Sequence, residues 1–419
     1  MKMSEEEVST KEKIIQATLG LLRTNSYSSI SLSRIAKEVN ISKTAIYRHF
    51  KCKEDLETAI QERIFKIIYG NMQEIDSLYH EKKYSECIVS ALRFLKDNPQ
   101  IMNYALFSSP DVGEDKKLYR YCDEGIGLMR NFFDENHKIK NYSLYSKGLF
   151  VAVTLIDFVL GWFKIENSGA ATLPFTYENY EKNILDLIST SLKVSESFLS
   201  DSDFSRIDTI CLESFAALPP LDKKLVALAN VVAKVGFPNV TVEALATELG
   251  MVKSSLYTWF SDKQEMLNSL IAPEINMMLS TVLQNMSQVS KPVEKLYVLL
   301  KTETFYFITR KKMLSACKWI QISGNYDRNG FEKITNPELS QRISTELDKD
   351  FIERNNQLYR CFDPALVGGW IFSFPVFLVV NAIHHKFSEI ELNESLRSLF
   401  NMIAGGLTLD IDLKKGGNV

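Results

Sequence analysis

Between Ser42 and Phe50 the chain sets Lys43, Thr44, Tyr47, Arg48 and His49 against apolar Ala45, Ile46 and Phe50. On a helix those two sets occupy opposite faces. Two cations, a hydroxyl, a phenol and an imidazole side by side suit recognition of a polyanion. Lys43 and Arg48 can reach base edges or phosphates, and Thr44 is small enough to approach a thymine methyl. The arrangement does not suit covalent catalysis. The chain has no Gly-x-Ser-x-Gly, no phosphate-cradling glycine loop and no His-Glu-x-x-His, so no enzyme activity and no cofactor are expected. Asp348 and Asp350 read as a solvated helix face. The adjacent His384 and His385 would point in different directions on a helix, and the remaining histidines and cysteines lack ligand spacing, so no metal site is expected.

The polar face needs elements to position it. Ser31 to Val39 carries Leu32, Ile35, Ala36 and Val39 at the spacing of one helix face. Ser31 is a natural N-cap, Asn40 tolerates the left-handed backbone that ends a helix, and Ser42 can cap the next one. A short helix, a tight turn and a second helix with exposed donors make a helix-turn-helix, whose second helix fits a major groove. A further helix, Lys11 to Arg23, precedes it.

The order Tyr27, Ser31, Ile35-Ala36, Ser42-Lys43, Ile46-Tyr47, His49-Phe50, Lys53 and Leu56 resembles the DNA-binding head of the TetR family of bacterial transcriptional regulators. The resemblance implies that Tyr47, His49 and Lys53 contact backbone phosphates, with Ser31 and Tyr27 assisting. Ser42, Lys43, Thr44 and Arg48 complete the expected DNA-binding set.

A shift of 210 residues produces a second copy without a gap. Tyr47 meets Tyr257, Lys43 meets Lys253, Lys53 meets Lys263, Phe50 meets Phe260, and Ala36 and Glu38 meet Ala246 and Glu248. Asn40 meets Gly250, so even the turn agrees. Thr241, Lys253, Ser254, Ser255, Tyr257, Thr258 and Lys263 are the matching candidate DNA contacts. Trp259 stands where the family usually has histidine. Val252 replaces the N-cap Ser or Thr, a loss that typically costs about 1 kcal/mol, whereas Asp262 restores a cap for the following helix.

Charge separates the two copies. Residues 11–53 hold nine Lys and Arg against two acids, net +7, and residues 221–263 hold five against four, net +1. Cationic groups that displace counterions supply most of the affinity for DNA. Three readings follow: both heads bind, imitating a dimer on a pseudo-palindrome; only the first binds; or neither does, and the fold serves as a ligand- or protein-binding module.

The 419 residues, 45% hydrophobic and 24% charged, allow two or three folded domains with a net charge of only −3. Six scattered cysteines without a Cys-x-x-Cys pair suit free thiols in a reducing compartment, and the polar start is no secretory signal. The apolar stretch Leu149 to Phe163 looks too short for a bilayer, and Trp370 to Ile383 looks broken by Pro375 and Asn381. A cytoplasmic protein without membrane attachment is expected.

Helical periodicity without any convincing strand pattern predicts an all-α fold of two consecutive TetR-like units. The expected segments are a first head (1–56), a first helical body (57–200), a connecting segment (201–221), a second head (222–266) and a second body (267–419). Helices are expected at Leu56 to about Tyr84, Glu86 to Leu95, Leu118 to Asn136, Tyr142 to Glu166 and Tyr177 to Leu199. In the second body they are expected at Met266 to Ser290, Val293 to Thr309, Met313 to Ile322, Pro337 to Tyr359, Pro364 to Phe387 and Leu392 to Leu409. In the connecting segment Phe204, Ile207, Ile210, Cys211 and Leu212 fit a docked amphipathic helix, with a flexible tether as the alternative.

The resemblance implies pairing through the last two helices of each unit, here within one chain, with further oligomerisation left open. The expected partners are double-stranded DNA and an unidentified small-molecule effector held in the helical bodies. Tyr104, Phe107, Phe133 and Trp162 are the candidate ligand-binding aromatics, although aromatics at helical spacing are more often core.

Overall fold

The computed structural model describes residues 9–25, 27–107, 139, 141–167, 176–192, 199–235, 240–258, 261, 263–312, 314, 336–351, 362 and 364–407. The regular elements of the described residues are helical, and the fold is all-α. The expected helices Leu118 to Asn136 and Met313 to Ile322 fall outside the described residues, apart from Leu314.

The first head comprises α1 (Thr10–Leu22), α2 (Leu32–Glu38), α3 (Lys43–Ile46) and the start of α4 (Lys53–His80). Ile14, Leu22, Ile30, Ile35, Ile46, Phe50, Leu56 and Ile60 close around one another as its core. α5 (Tyr84–Asp97) packs on α4, and α6 (Pro99–Phe107) packs on α1. Periodicity did not predict α6. It starts on Pro99, whose fixed φ suits the first helical position.

Two helices complete the first unit: α7 (Tyr142–Asn167) and α8 (Tyr177–Thr190). α8 stops short of the expected Leu199, because Ser191 turns to φ 42°. The connecting segment is helix α9 (Asp201–Ala216), opened by a capping box between Ser200 and Asp203. Phe204, Ile207 and Cys211 are buried as expected, but Leu212 is 59% exposed, so the docked face is narrower than its apolar content suggests.

The second head contains α10 (Lys223–Val235), α11 (Val242–Leu249) and α12 (Lys253–Tyr257); its body contains α13 (Lys263–Met286), α14 (Pro292–Thr309), α15 (Pro337–Phe351), α16 (Pro364–His384) and α17 (Glu389–Gly405). α14 is the central helix of this half, packed against α9, α13, α15, α16 and α17. The connecting helix is fixed onto it by charge. Lys301, 1% exposed, places Nζ 2.8 Å from Asp208, which also meets Arg397 at 3.2 Å. Arg206 of α9 bridges to Glu294 at 2.5 Å.

The halves meet through their long apolar helices. α7 packs against α16 and α17. Phe150 stacks on Phe374 with centroids 5.6 Å apart, and the buried Trp370 Nε1 donates to Thr154 at 3.0 Å. The Ser373 hydroxyl donates to the buried Asp157 carboxyl, and the hydroxyls of Tyr142 and Tyr145 donate to Glu391 and Asn381, each at 2.5 Å. At the ends of α8 and α17 the backbones exchange hydrogen bonds: Leu192 N–H donates to Ile403 at 3.3 Å and Leu407 N–H to Ile188 at 2.8 Å.

Two sequence expectations are corrected here. The apolar stretch around Leu149 to Phe163 belongs to a 26-residue helix, so α7 is long and apolar enough to cross a membrane, as is α16. In the fold the two helices pack against each other. Pro375 and Asn381 do not break α16, and the Asn381 amide donates back to Phe377 inside a continuous helix.

Candidate nucleic-acid interface

The turn before α3 follows directly from residue type. Asn40 adopts φ 58°, and the Ser42 hydroxyl accepts from Ala45 N–H at 3.1 Å. Ser31 caps α2 in the same way through Arg34 N–H at 3.2 Å. With Ile46 and Phe50 pinned in the core, Ser42, Lys43, Thr44, Tyr47, Arg48 and His49 all lie on the exposed face. Among the described residues no acid pairs with Lys43 or Arg48. Glu12, one of the two acids in residues 11–53, is taken by Arg63 of α4 at 2.6 Å.

Two phosphate candidates sit differently from expectation. Tyr27 is 3% exposed and its hydroxyl donates to the Lys53 carbonyl at 2.7 Å. Burial also raises its pKa, and the hydroxyl proton is committed to that carbonyl, so Tyr27 braces the head from within. Lys53 rests over the Tyr27 ring at 5.0 Å and is half-buried. Desolvation lowers its pKa, with Glu57 and Glu54 opposing.

The second head repeats this geometry. Gly250 adopts φ 66°, and Thr241 caps α11 through Ala244 N–H at 3.1 Å. Lys253, Ser254, Tyr257 and Thr258 are exposed and Ser255 is half-buried, while the Lys263 side chain lies outside the described residues. Tyr47 and Tyr257 are equally exposed, at 47%.

The difference lies in charge and capping. Lys253 is ion-paired with Glu243, and Lys234 with Glu248 at 2.6 Å. Val252, 66% exposed, contributes no cap to α12. Counting charges in the sequence revealed the near-neutrality but not the pairing of Lys253, since the two residues are ten positions apart on different helices. The cores differ as well. The first head has its own cluster, whereas Leu228, Val231, Leu245 and Leu256 of the second join the cluster that runs through both bodies.

The candidate ligand aromatics do not converge. Tyr104 lies in the core of the first head, where its hydroxyl accepts from Gln61 at 2.7 Å. Trp162 packs on Tyr177 and Tyr180 in the body. Phe133 and the Phe107 side chain lie outside the described residues.

Two segments, residues 14–60 and 225–270, match the family model described as bacterial regulatory proteins, tetR family. No curated protein matches the chain. Solved structures with similarity include the TetR family transcriptional regulator PfmR from Thermus thermophilus, at 22% identity and TM-score 0.33, over 46% of this chain and 98% of that one. The fatty acid degradation regulator FadR from Bacillus halodurans is 20% identical with TM-score 0.34, over 45% of this chain and 97% of that one. A TetR family regulator from Marinobacter aquaeolei is 15% identical with TM-score 0.32, over 48% and 98%.

Proposed function

Since the chain carries two heads of the tetR family of bacterial regulatory proteins, we propose that it is a sequence-specific transcriptional regulator, a repressor, that presents both heads from one polypeptide. The halves pair through α7, α8, α16 and α17 and imitate a dimer on a pseudo-palindromic site with unequal half-sites. A small-molecule effector held in the helical bodies releases the DNA by favouring a state whose heads no longer fit successive grooves.

The observation that carries this reading is the exposed face formed by α3 and the turn that follows it. Lys43, Thr44, Tyr47, Arg48 and His49 share it, and the two cations have no acid partner among the described residues. In the second head Ser254, Tyr257 and Thr258 occupy the same face, but Glu243 competes with phosphate for Lys253. The first head therefore dominates affinity and the second adds a weaker half-site.

Selection from a randomised DNA library, followed by titration of the selected site at two salt concentrations, tests this. An imperfect palindrome weakened by both Tyr47→Ala and Tyr257→Ala supports the two-headed reading. A single half-site insensitive to Tyr257→Ala reduces the second head to a structural element. With no sequence enriched and all binding erased by salt, the regulator reading fails and a ligand- or protein-binding module replaces it.

A further inference from the structure

Five acids are buried among the described residues, and four of them have partners. Asp157 accepts from Ser373, Glu181 takes a bidentate grip from Arg93 with both bonds at 2.8 Å, Glu274 is held by Arg310 and Tyr306, and Glu294 by Arg206. The fifth is Glu303, in the middle of α14 and 2% exposed. Its Oε2 meets no hydrogen-bond donor, and burial alone perturbs the group. A buried polar group without a partner is destabilising, more so if charged, so a folded chain rarely retains one for stability.

The surroundings narrow what would complete it. One turn to either side on the same helix face lie Leu299, Leu300, Tyr306 and Phe307, all buried, and Phe307 meets Phe372 of α16 edge-on at 5.9 Å. Among the described residues, the four cations on and around α14 that are buried or half-buried are each paired with an acid: Lys301 and Arg397 with Asp208, Lys295 with Glu346, Arg310 with Glu274. No group of three metal-ligating side chains occurs among the described residues. One carboxylate among aromatic and aliphatic side chains matches an organic cation better than a metal ion, because ring faces attract ammonium charge and apolar walls accept its substituents. α5 takes the same place in the first unit and buries Tyr84, Ile88 and Leu92, with no acid.

We propose that the second body binds an apolar organic monocation, an amine or quaternary ammonium compound, with Glu303 as its counter-ion. The proposal rests on the regulator reading for its purpose, since this cation is the effector, but its chemistry is tested separately. Burial raises the Glu303 pKa and so opposes its ionisation in the empty protein, whereas a bound cation favours it, so binding is expected to expel a proton.

The experiment is calorimetric titration of the full chain with benzyltrimethylammonium and with neopentylbenzene, its uncharged isostere, in two buffers of different ionisation enthalpy. Saturable binding of the cation, a heat that shifts between buffers by one released proton, and affinity about tenfold or more above the neutral isostere are expected. Glu303→Gln, which keeps shape and removes the charge, should lose that preference while retaining wild-type helicity and DNA binding. If Glu303→Gln does not fold, the proton release and the cation preference of the wild type decide alone. No saturation by the cation at millimolar concentration, equal affinity for the isostere, or unchanged binding by a folded Glu303→Gln would each overturn the proposal. DNA binding is measured on the same samples. Its absence beside intact, Glu303-dependent cation binding would remove the regulator reading and leave the site standing.

Discussion

Leu192 N–H donates to the carbonyl of Ile403, and the exchange is returned by Leu407 N–H to Ile188. Donor and acceptor are four residues apart in each half, so the two bonds are the same bond made twice. Reciprocity of this kind is what a two-fold interface produces between separate subunits. Here it joins two parts of one polypeptide.

Gly406 sits beside this exchange with φ +84°, and a Cβ there would run into the Ser189 carbonyl. Gly406→Ala is therefore expected to destabilise the protein by about 2 kcal/mol or more, through both backbone strain and collision. Thermal unfolding measures it. An unchanged Tm would mean the two ends are not held together in solution.

At the centre of the interface Asp157 makes stability depend on pH. Burial pushes its carboxyl up to about 8, with the Ser373 hydroxyl pulling the other way. Between about pH 4 and pH 8 the folded protein holds a proton that the unfolded chain has released, so stability falls as pH rises through that window. Asp157→Asn should flatten the dependence and unfold later than wild type at about pH 8, by on the order of 1–2 kcal/mol. Denaturant titrations at several pH values provide the readout.

The second head should be repairable. Glu243 stands where the first head has Ser33, and Val252 where it has Ser42. Glu243→Ser frees Lys253, and Val252→Ser restores a cap worth about 1 kcal/mol. The double variant is expected to bind the selected DNA more tightly, about tenfold, with a salt dependence steeper by about one unit. Equal affinity for wild type and variant would argue that α12 never approaches DNA.

In the first head, Lys43→Ala should weaken binding across sequences and reduce the salt slope by about one if it contacts phosphate. If it instead relaxes preference at one base position, it reads a base edge. Fluorescence anisotropy on the selected site and its single-base variants distinguishes the two.

The heads were legible because they depend on neighbours in sequence. Asn40 and Gly250 reach positive φ, Ser31, Ser42 and Thr241 cap, and Val252 fails to cap, all as residue type dictates. The burial of Tyr27 was not legible, because its place in the motif says nothing of the Lys53 carbonyl 26 residues away that accepts from its hydroxyl. The bond between Trp370 and Thr154, the unpartnered Oε2 of Glu303 and the pairing of Lys253 with Glu243 were equally invisible. Each depends on which helices lie against one another, and periodicity alone does not carry that information.

The docked connecting helix has a consequence for dosage. Subunits that associate reversibly separate on dilution, so the amount of active species varies with the square of their concentration when they are scarce. α9, anchored to α14 by the Lys301–Asp208 and Arg206–Glu294 pairs, joins the two units covalently, and in the proposed single-chain regulator that step is absent. Under the proposed two-headed reading, occupancy of a DNA site would scale linearly with the number of molecules in the cell, down to a single copy. The halves are also free to diverge independently, since a substitution in one is never imposed on the other.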